Sequence, residues 1–251
     1  MEVLKDFFVS LDIKDYKVII VNSYFDDESE KQCATVAQHY NADYIPIPNK
    51  GFGYGNNIGA KYAIAHYDYN FLILSNSDIK IENISKLNDY QGQTAIIAPY
   101  VHLANGKLQN PNIPFKMDFI LPLLYNGYNK PSTLQLNLAH ICTRLSREIF
   151  HIFNLIYRKK SYKIYSCHGC FIIFTKEAVI QLFPFFDDRM FLYNEELYLA
   201  FRAEKLGVNV QYVPGIKIFH MEGASSSSKK EVGREHNKQS FNILWDYIKL
   251  K

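Results

Sequence analysis

The sequence has no apolar run long enough to span a bilayer, so a transmembrane protein is not expected. It has only four cysteines, Cys33, Cys142, Cys167 and Cys170. Cys167 and Cys170 have C-x-x-C spacing, but no second pair exists to complete a zinc site. No thioredoxin-like context surrounds the pair, so its spacing reads as incidental. The stretch MEVLKDFFVS carries acids near its start and does not read as a signal peptide. Free thiols in a reducing cytoplasm are therefore expected. There is little excess of one charge. A net of +3 is too small for a chain whose whole surface binds nucleic acid, and no nucleic-acid partner is expected.

What is present fits a globular domain. A chain of 251 residues, 48% hydrophobic and 21% charged, can bury a full core in one α/β unit. Aromatic residues reach 15%, from 19 Tyr and 18 Phe. Three readings of that excess stand level: sugar-stacking surfaces, a face resting on a membrane, or an AT-rich coding bias. The charge is uneven. Residues 116–163 hold eight basic side chains (Lys116, Lys130, Arg144, Arg147, Arg158, Lys159, Lys160, Lys163) against Asp118 and Glu148, a local excess of six.

Along the chain, apolar residues at helical spacing predict a short helix over 3–11, and the β-branched run at 16–21 predicts a buried strand. A polar loop from Asn22 leads to a helix over 29–40, and a strand follows over 42–48. The stretch 49–59, NKGFGYGNNIG, has four glycines, which allow positive φ and close approach of backbone to a ligand. A helix is predicted over 57–66 and a strand over 71–74, running into Asn76 and Asp78. Strand, helix, strand, glycine loop, helix, strand is the rhythm of a doubly wound α/β sheet. Ligands bind beyond the carboxyl ends of such strands. Asn22, the glycine loop and Asp78 are therefore expected to share one crevice.

A further strand is predicted over 94–99. Residues 134–157 then place Leu138, Ile141, Leu145, Ile149, Ile152, Phe153 and Ile156 at three- and four-residue steps, with basic residues alongside and after. Such a helix lies in a membrane interface beside anionic lipid, or packs on the domain with a solvated basic face; both readings stand. Strands are predicted over 169–174, 208–213 and 216–219. Helices are predicted over 176–182, 194–206 and 231–249, with a flexible loop at 225–230.

Asp78, at a strand end, is placed to hold a divalent cation together with substrate phosphates, or to act as a turn residue. Glu195 and Glu196, about 100° apart on a helix, offer one carboxylate for structure and one as general base. The plainer reading is two acids in a first helical turn. His220, after a strand, is a metal ligand or a structural histidine. The basic residues Lys229, Lys230, Arg234 and Lys238 read mostly as a solvated face.

Taken in order, NSYFDDES (22–29), NKGFGYGNNIG (49–59), NSD (76–78), GCFIIF (169–174), FDDRMFLYNEE (186–196), Arg202 and HMEGAS (220–225) resemble the family 2 glycosyltransferases of the GT-A fold, especially the bacterial rhamnosyltransferase-like branch. The match runs over residues 16–225. The resemblance implies a GT-A-type, Rossmann-like mixed sheet, mostly parallel and flanked by helices, in one domain over 1–251. Residues 1–99 would be the nucleotide-sugar-binding half, 100–165 a variable insertion facing a membrane or partner, and 166–251 the acceptor and catalytic half with its tail.

The same resemblance implies an inverting, metal-dependent transferase in surface or capsular polysaccharide synthesis, using a UDP- or dTDP-sugar and a lipid-linked glycan acceptor. Glu196 would be the base, with Glu195 beside it. Mn²⁺ or Mg²⁺ would sit at Asp78 and His220. Asn22, Asn49, Gly51, Gly53, Gly55, Asn56, Asn57, Asn76, Asp78 and Arg202 would contact nucleotide or substrate. The location implied is cytoplasmic and peripheral on the inner membrane face.

Three departures qualify the match. The family's first strand has no counterpart, Asn22 replaces an aspartate that contacts the base, and Glu196 replaces an aspartate. A missing strand predicts an open sheet edge and a gapped nucleotide pocket. Truncation, filling by another segment, a partner subunit or a second copy, and impaired activity all remain open. The competing reading is a non-catalytic, auxiliary subunit that binds a partner transferase through that edge and the apolar segment 117–157. A nucleotidyltransferase shares the general fold, but no G-x-G-x-R signature stands near the N-terminus.

Overall fold

The computed structural model describes residues 2–24, 27–130, 132–221 and 230–249. The loop expected over 225–230 therefore lies almost wholly outside the described residues, as do Lys229 and positions 222–225 of the HMEGAS stretch.

The chain opens with helix α1 (Glu2–Val9), strand β1 (Ile19–Tyr24), helix α2 (Asp27–His39) and strand β2 (Asp43–Pro48). Helix α3 (Phe52–His66) and strands β3 (Phe71–Ser75), β4 (Ile79–Asn83) and β5 (Ala95–His102) follow. Two helices, α4 (Ile120–Asn129) and α5 (Thr133–Tyr157), precede strands β6 (Tyr162–Ile164) and β7 (Phe171–Thr175). Helices α6 (Lys176–Leu182) and α7 (Glu195–Lys205), strand β8 (Asn209–His220) and helix α8 (Lys230–Lys249) complete the order.

The fold is mixed α/β with flanking helices, as expected. β1 and β2 form a parallel two-stranded sheet. The larger sheet has the order β3-β7-β5-β8-β4, with β6 also on β8. β5 runs parallel to β8, whereas β7 is antiparallel to both β3 and β5, and β4 and β6 are antiparallel to β8. Antiparallel pairing is thus more extensive than the strand–helix–strand rhythm suggests, because that rhythm covers only the first third of the chain.

The run Phe171-Ile-Ile-Phe-Thr175 is buried throughout, as a central strand covered on both faces must be. Ile172 and Phe174 join Ile96, Phe185 and Leu199 on one side, while Phe171 and Ile173 join Ile97, Ile79 and Ile218 on the other. That split is the two-residue period of a pleated strand. A third cluster packs α8, through Phe241 and Leu244, on Leu197, Tyr198 and Phe201 of α7.

Two expectations need correction. The glycine stretch is not a loop: α3 begins at Phe52, and Gly53, Gly55 and Gly59 lie inside it. Their use is close packing. A Cβ at Gly53 would come within 2.8 Å of Phe186 Cβ, and one at Gly59 within 2.7 Å of Val21 Cγ2. Only Gly51 needs positive φ, at 108°, where the chain passes against the backbone of Phe191. The two strands expected over 208–219 are one, β8, because Pro214 and Gly215 fit within a register shift opposite Pro99 and Tyr100.

β1 pairs only with β2, and β3 only with β7, among the described residues. Each therefore keeps one edge without a ladder partner. Helix α3 packs against both strands across the break.

Candidate active site

Four strand termini meet at one end of the larger sheet. β3 and β7 are antiparallel, so Ser75 lies opposite Phe171 and the Asn76 N–H donates to the Cys170 carbonyl at 2.9 Å. β4 and β8 pair Ile79 with His220, and the Met221 N–H donates to the Asp78 carbonyl at 2.9 Å. Asp78 is thereby held between the start of β7 and the end of β8. Helix α7 brings its first two residues to the same place. The chain enters it through Tyr193 and Asn194, both left-handed at φ 74° and 67°. That conformation is unfavourable for a bulky tyrosine and clusters at functional sites. The Asn194 amide is held by donation to Asn237 of α8, to its backbone and side-chain oxygens, at 3.3 Å each.

A cavity of about 700 Å³ opens over this floor. Asn76, Asp78, His168, Gly169, Glu195 and Glu196 line it on the sheet side. Ile120, Leu121, Leu124 and Tyr128 of α4, His140 and Thr143 of α5, and Asn237 of α8 form much of the wall. A mostly apolar cleft with a few convergent polar groups is what a small-molecule site looks like.

The two glutamates are in different situations. Glu195 is buried, and its Oε1 has no hydrogen-bond partner. Burial first, and the neighbouring Glu196 charge second, push its carboxyl up to about 8, so it carries a proton at neutral pH. Glu196 is partly exposed, and its Oε1 accepts from the Gly169 N–H at 3.1 Å. The Ser166 hydroxyl donates to the Glu196 carbonyl at 3.1 Å, fixing the helix turn beneath it. Two neighbouring carboxyl groups with environments this unlike can take different protonation states and roles.

Asp78 and His220 form a second, buried pair, with Nε2 3.1 Å from the Asp78 Oδ1. The other ring nitrogen, Nδ1, lies 2.6 Å from Oε1 of Gln109. An amide oxygen only accepts and a carboxylate oxygen lies on the other side, so the ring ties Asp78 to Gln109 through both of its nitrogens. A carboxylate and an imidazole are groups that would hold a divalent ion of the Mg²⁺ or Mn²⁺ kind. No group of three or more His, Cys, Asp or Glu that could hold a metal occurs among the described residues. Of the pair, only Asp78 lines the cavity.

Other sequence-based candidates are placed elsewhere. Asn57 is buried and fully engaged: Nδ2 donates to the Phe186 carbonyl and Asp188 Oδ1, and Oδ1 accepts from the Phe185 and Phe186 N–H groups. Arg202 donates from Nη1 to the carbonyls of Leu182 and Pro184, and its guanidinium lies over the Tyr198 ring. Asn22 donates to the Tyr44 hydroxyl, Asn49 accepts from the Gly51 N–H, and Asn56 donates to the Phe52 carbonyl. None of these, nor Gly51, Gly53, Gly55 or His220, lines the cavity. The shared crevice foreseen for Asn22, the glycine stretch and Asp78 is thus not this cavity, to which α3 contributes Phe52. Cys167 and Cys170 are free and buried.

Sequence reasoning passed over His168, Gly169 as a donor, and Gln109. In the C-H-G-C stretch His168, Gly169 and Cys170 all line the cavity. Gln109 carried no local signal.

No family profile matches this sequence, and no curated protein is similar to it in sequence. Solved structures do resemble it. GalNAc-T7, crystallised with UDP, GalNAc and Mn²⁺, is 12% identical and aligns with 84% of this chain at a TM-score of 0.52. TarS of S. aureus is 12% identical and aligns with 88% of this chain at a TM-score of 0.53. The chain spans 39% and 34% of the lengths of those two proteins. The likeness establishes the GT-A-type glycosyltransferase fold for this chain.

Proposed function

We propose that this protein is an inverting, family 2-like glycosyltransferase that moves a sugar from a nucleoside-diphosphate donor to a hydroxyl of a lipid-linked glycan acceptor. The observation that carries the reading is Glu196: a partly exposed carboxylate, aimed by the Gly169 N–H, in the same cavity as Asp78. Glu196 takes the proton from the acceptor hydroxyl. The hydroxyl oxygen attacks the anomeric carbon from the face opposite the diphosphate. The bond from that carbon to the diphosphate oxygen breaks, and its electron pair leaves with the nucleoside diphosphate. Glu195, protonated beside it, adds no second negative charge to the apolar cavity.

Asp78 and His220 would hold Mg²⁺ or Mn²⁺, which supplies positive charge to the departing diphosphate. Asn76 would orient the diphosphate, and Asn22 and Asn49 would contact the nucleoside. A role in bacterial surface or capsular polysaccharide synthesis, at the cytoplasmic face of the membrane, belongs to this reading.

A thermal-shift series with UDP, dTDP and GDP, with and without Mn²⁺, tests it. A metal-dependent rise with one diphosphate is expected. Glu196→Gln should keep that rise and lose turnover, read as nucleoside diphosphate release, by about 10²–10⁴-fold. The unpaired edges of β1 and β3 favour one other reading, an auxiliary subunit that pairs with a partner transferase. That reading predicts no diphosphate-dependent shift and a silent Glu196→Gln.

A further inference from the structure

Helix α5 serves the cavity with one side and faces outward with another. Ala139, Ser146 and Phe150 turn into the protein, and His140 and Thr143 reach the cavity. Leu134, Leu138, Ile141, Leu145, Ile149, Ile152 and Ile156 recur at three- and four-residue steps and are all exposed, Leu134 to 77%. At about 100° per residue they fall in a sector roughly 80° wide, about 100° or more from Phe150. An ordinary surface helix has one apolar face, turned to the core. This one has two.

Basic groups border the outer stripe. Arg144 flanks it, and Arg158, Lys159 and Lys160 close its C-terminal end; all four are exposed, and none forms a salt bridge among the described residues. We propose that the outer face of α5 lies in the interface of an anionic lipid surface. The apolar stripe enters the acyl boundary and these four cations meet the headgroups. No described helix is long and apolar enough to cross a membrane, so the helix lies along the surface. Its 25 residues give a contact about 37 Å long.

Charge points to lipid. The exposed cations Arg144, Arg158, Lys159 and Lys160 outnumber the one acid of α5, Glu148, so the outer face and its C-terminal end are net positive. An anionic surface meets the same charges as attraction. The arrangement also gives the acceptor a route. A lipid-linked acceptor anchored under α5 would present its sugar end to the cavity that α5 walls, within reach of Glu196. That last step rests on the transferase reading; the lipid contact does not.

The test is co-sedimentation of the full chain with vesicles of phosphatidylcholine alone or mixed with phosphatidylglycerol, at low and high salt. Wild type should sediment with the anionic vesicles, less so at high salt. The set Arg158→Gln, Lys159→Gln, Lys160→Gln should weaken this at low salt on the order of 10²-fold. The set Leu138→Ser, Leu145→Ser, Ile152→Ser should weaken it at both salts, and far-UV circular dichroism verifies that both variants stay folded. Absence of wild-type binding to anionic vesicles at low salt would overturn the proposal. So would equal binding to both vesicle types, or a solution dimer that the serine set abolishes while vesicles are ignored. Diphosphate-dependent thermal shift is read separately: vesicle binding without it upholds the lipid surface and sinks the transferase reading, and the reverse outcome sinks the lipid surface alone.

Discussion

The backbone N–H of Gly169 donates to Oε1 of Glu196 at 3.1 Å, and a Cβ at residue 169 would come within 2.7 Å of that same oxygen. One residue thus supplies both the donor that aims the carboxylate and the space it occupies. Gly169→Ala is expected to displace Glu196 and lower kcat by about 10²-fold. The diphosphate-dependent thermal shift should be retained. An unchanged kcat would mean that this contact does not position the base.

Asp78 and His220 are the proposed metal ligands, set 3.1 Å apart. Asp78→Asn should remove the Mn²⁺-dependent part of the diphosphate thermal shift and leave the metal-independent part. Isothermal titration with and without Mn²⁺ checks this, and an Mn²⁺ increment equal to that of wild type would refute the assignment.

Asn57 joins α3 to the loop after α6 through four hydrogen bonds, at 2.8–3.3 Å. Asn57→Ala would leave the Phe185 and Phe186 N–H groups and the Phe186 carbonyl without partners. A loss of about 2–4 kcal/mol is expected in urea denaturation, with diphosphate affinity near wild type in the folded fraction. If Asn57 were a nucleotide contact instead, affinity would fall and stability would hold.

Glu195 makes stability depend on pH. Its carboxyl is raised from 4.5 to about 8 by burial and by Glu196. Between those values the folded chain holds a proton that the unfolded chain has released. Stability therefore falls as pH climbs through that window and levels off above it. Glu195→Gln should flatten the profile, measured as urea midpoints at several pH values from 5 to 8, compared with wild type. An equally steep fall in the variant would assign the effect to another group.

Much of the fold was legible because its signals are local. The Phe171–Thr175 strand showed as a continuous apolar run, and α5 showed in its three- and four-residue spacing. The glycine stretch misled because glycine's loop preference is also local, whereas its use here is contact. Gly53 and Gly59 accept helical geometry so that Phe186 and Val21 can approach. The amphipathic pattern of α5 was visible, but periodicity alone could not show that the helix packs with one side and leaves the Leu134–Ile156 stripe uncovered.

The sequence by itself determined the alternation of strands and helices over the first third of the chain, the buried central strand, and the residue types able to do the chemistry, since each depends on spacing within a few residues; β4, α4 and β6 carried no such signal. Only the tertiary structure decided which of those residues meet. Gly169 reaches Glu196 across 27 positions, Gln109 reaches His220 across 111, and Asp78 reaches His220 across 142. Such pairings follow from strand register and from which helix face is buried. Those relations separate Glu196 at the cavity from Asn57 and Arg202, whose hydrogen bonds are taken up by the protein itself.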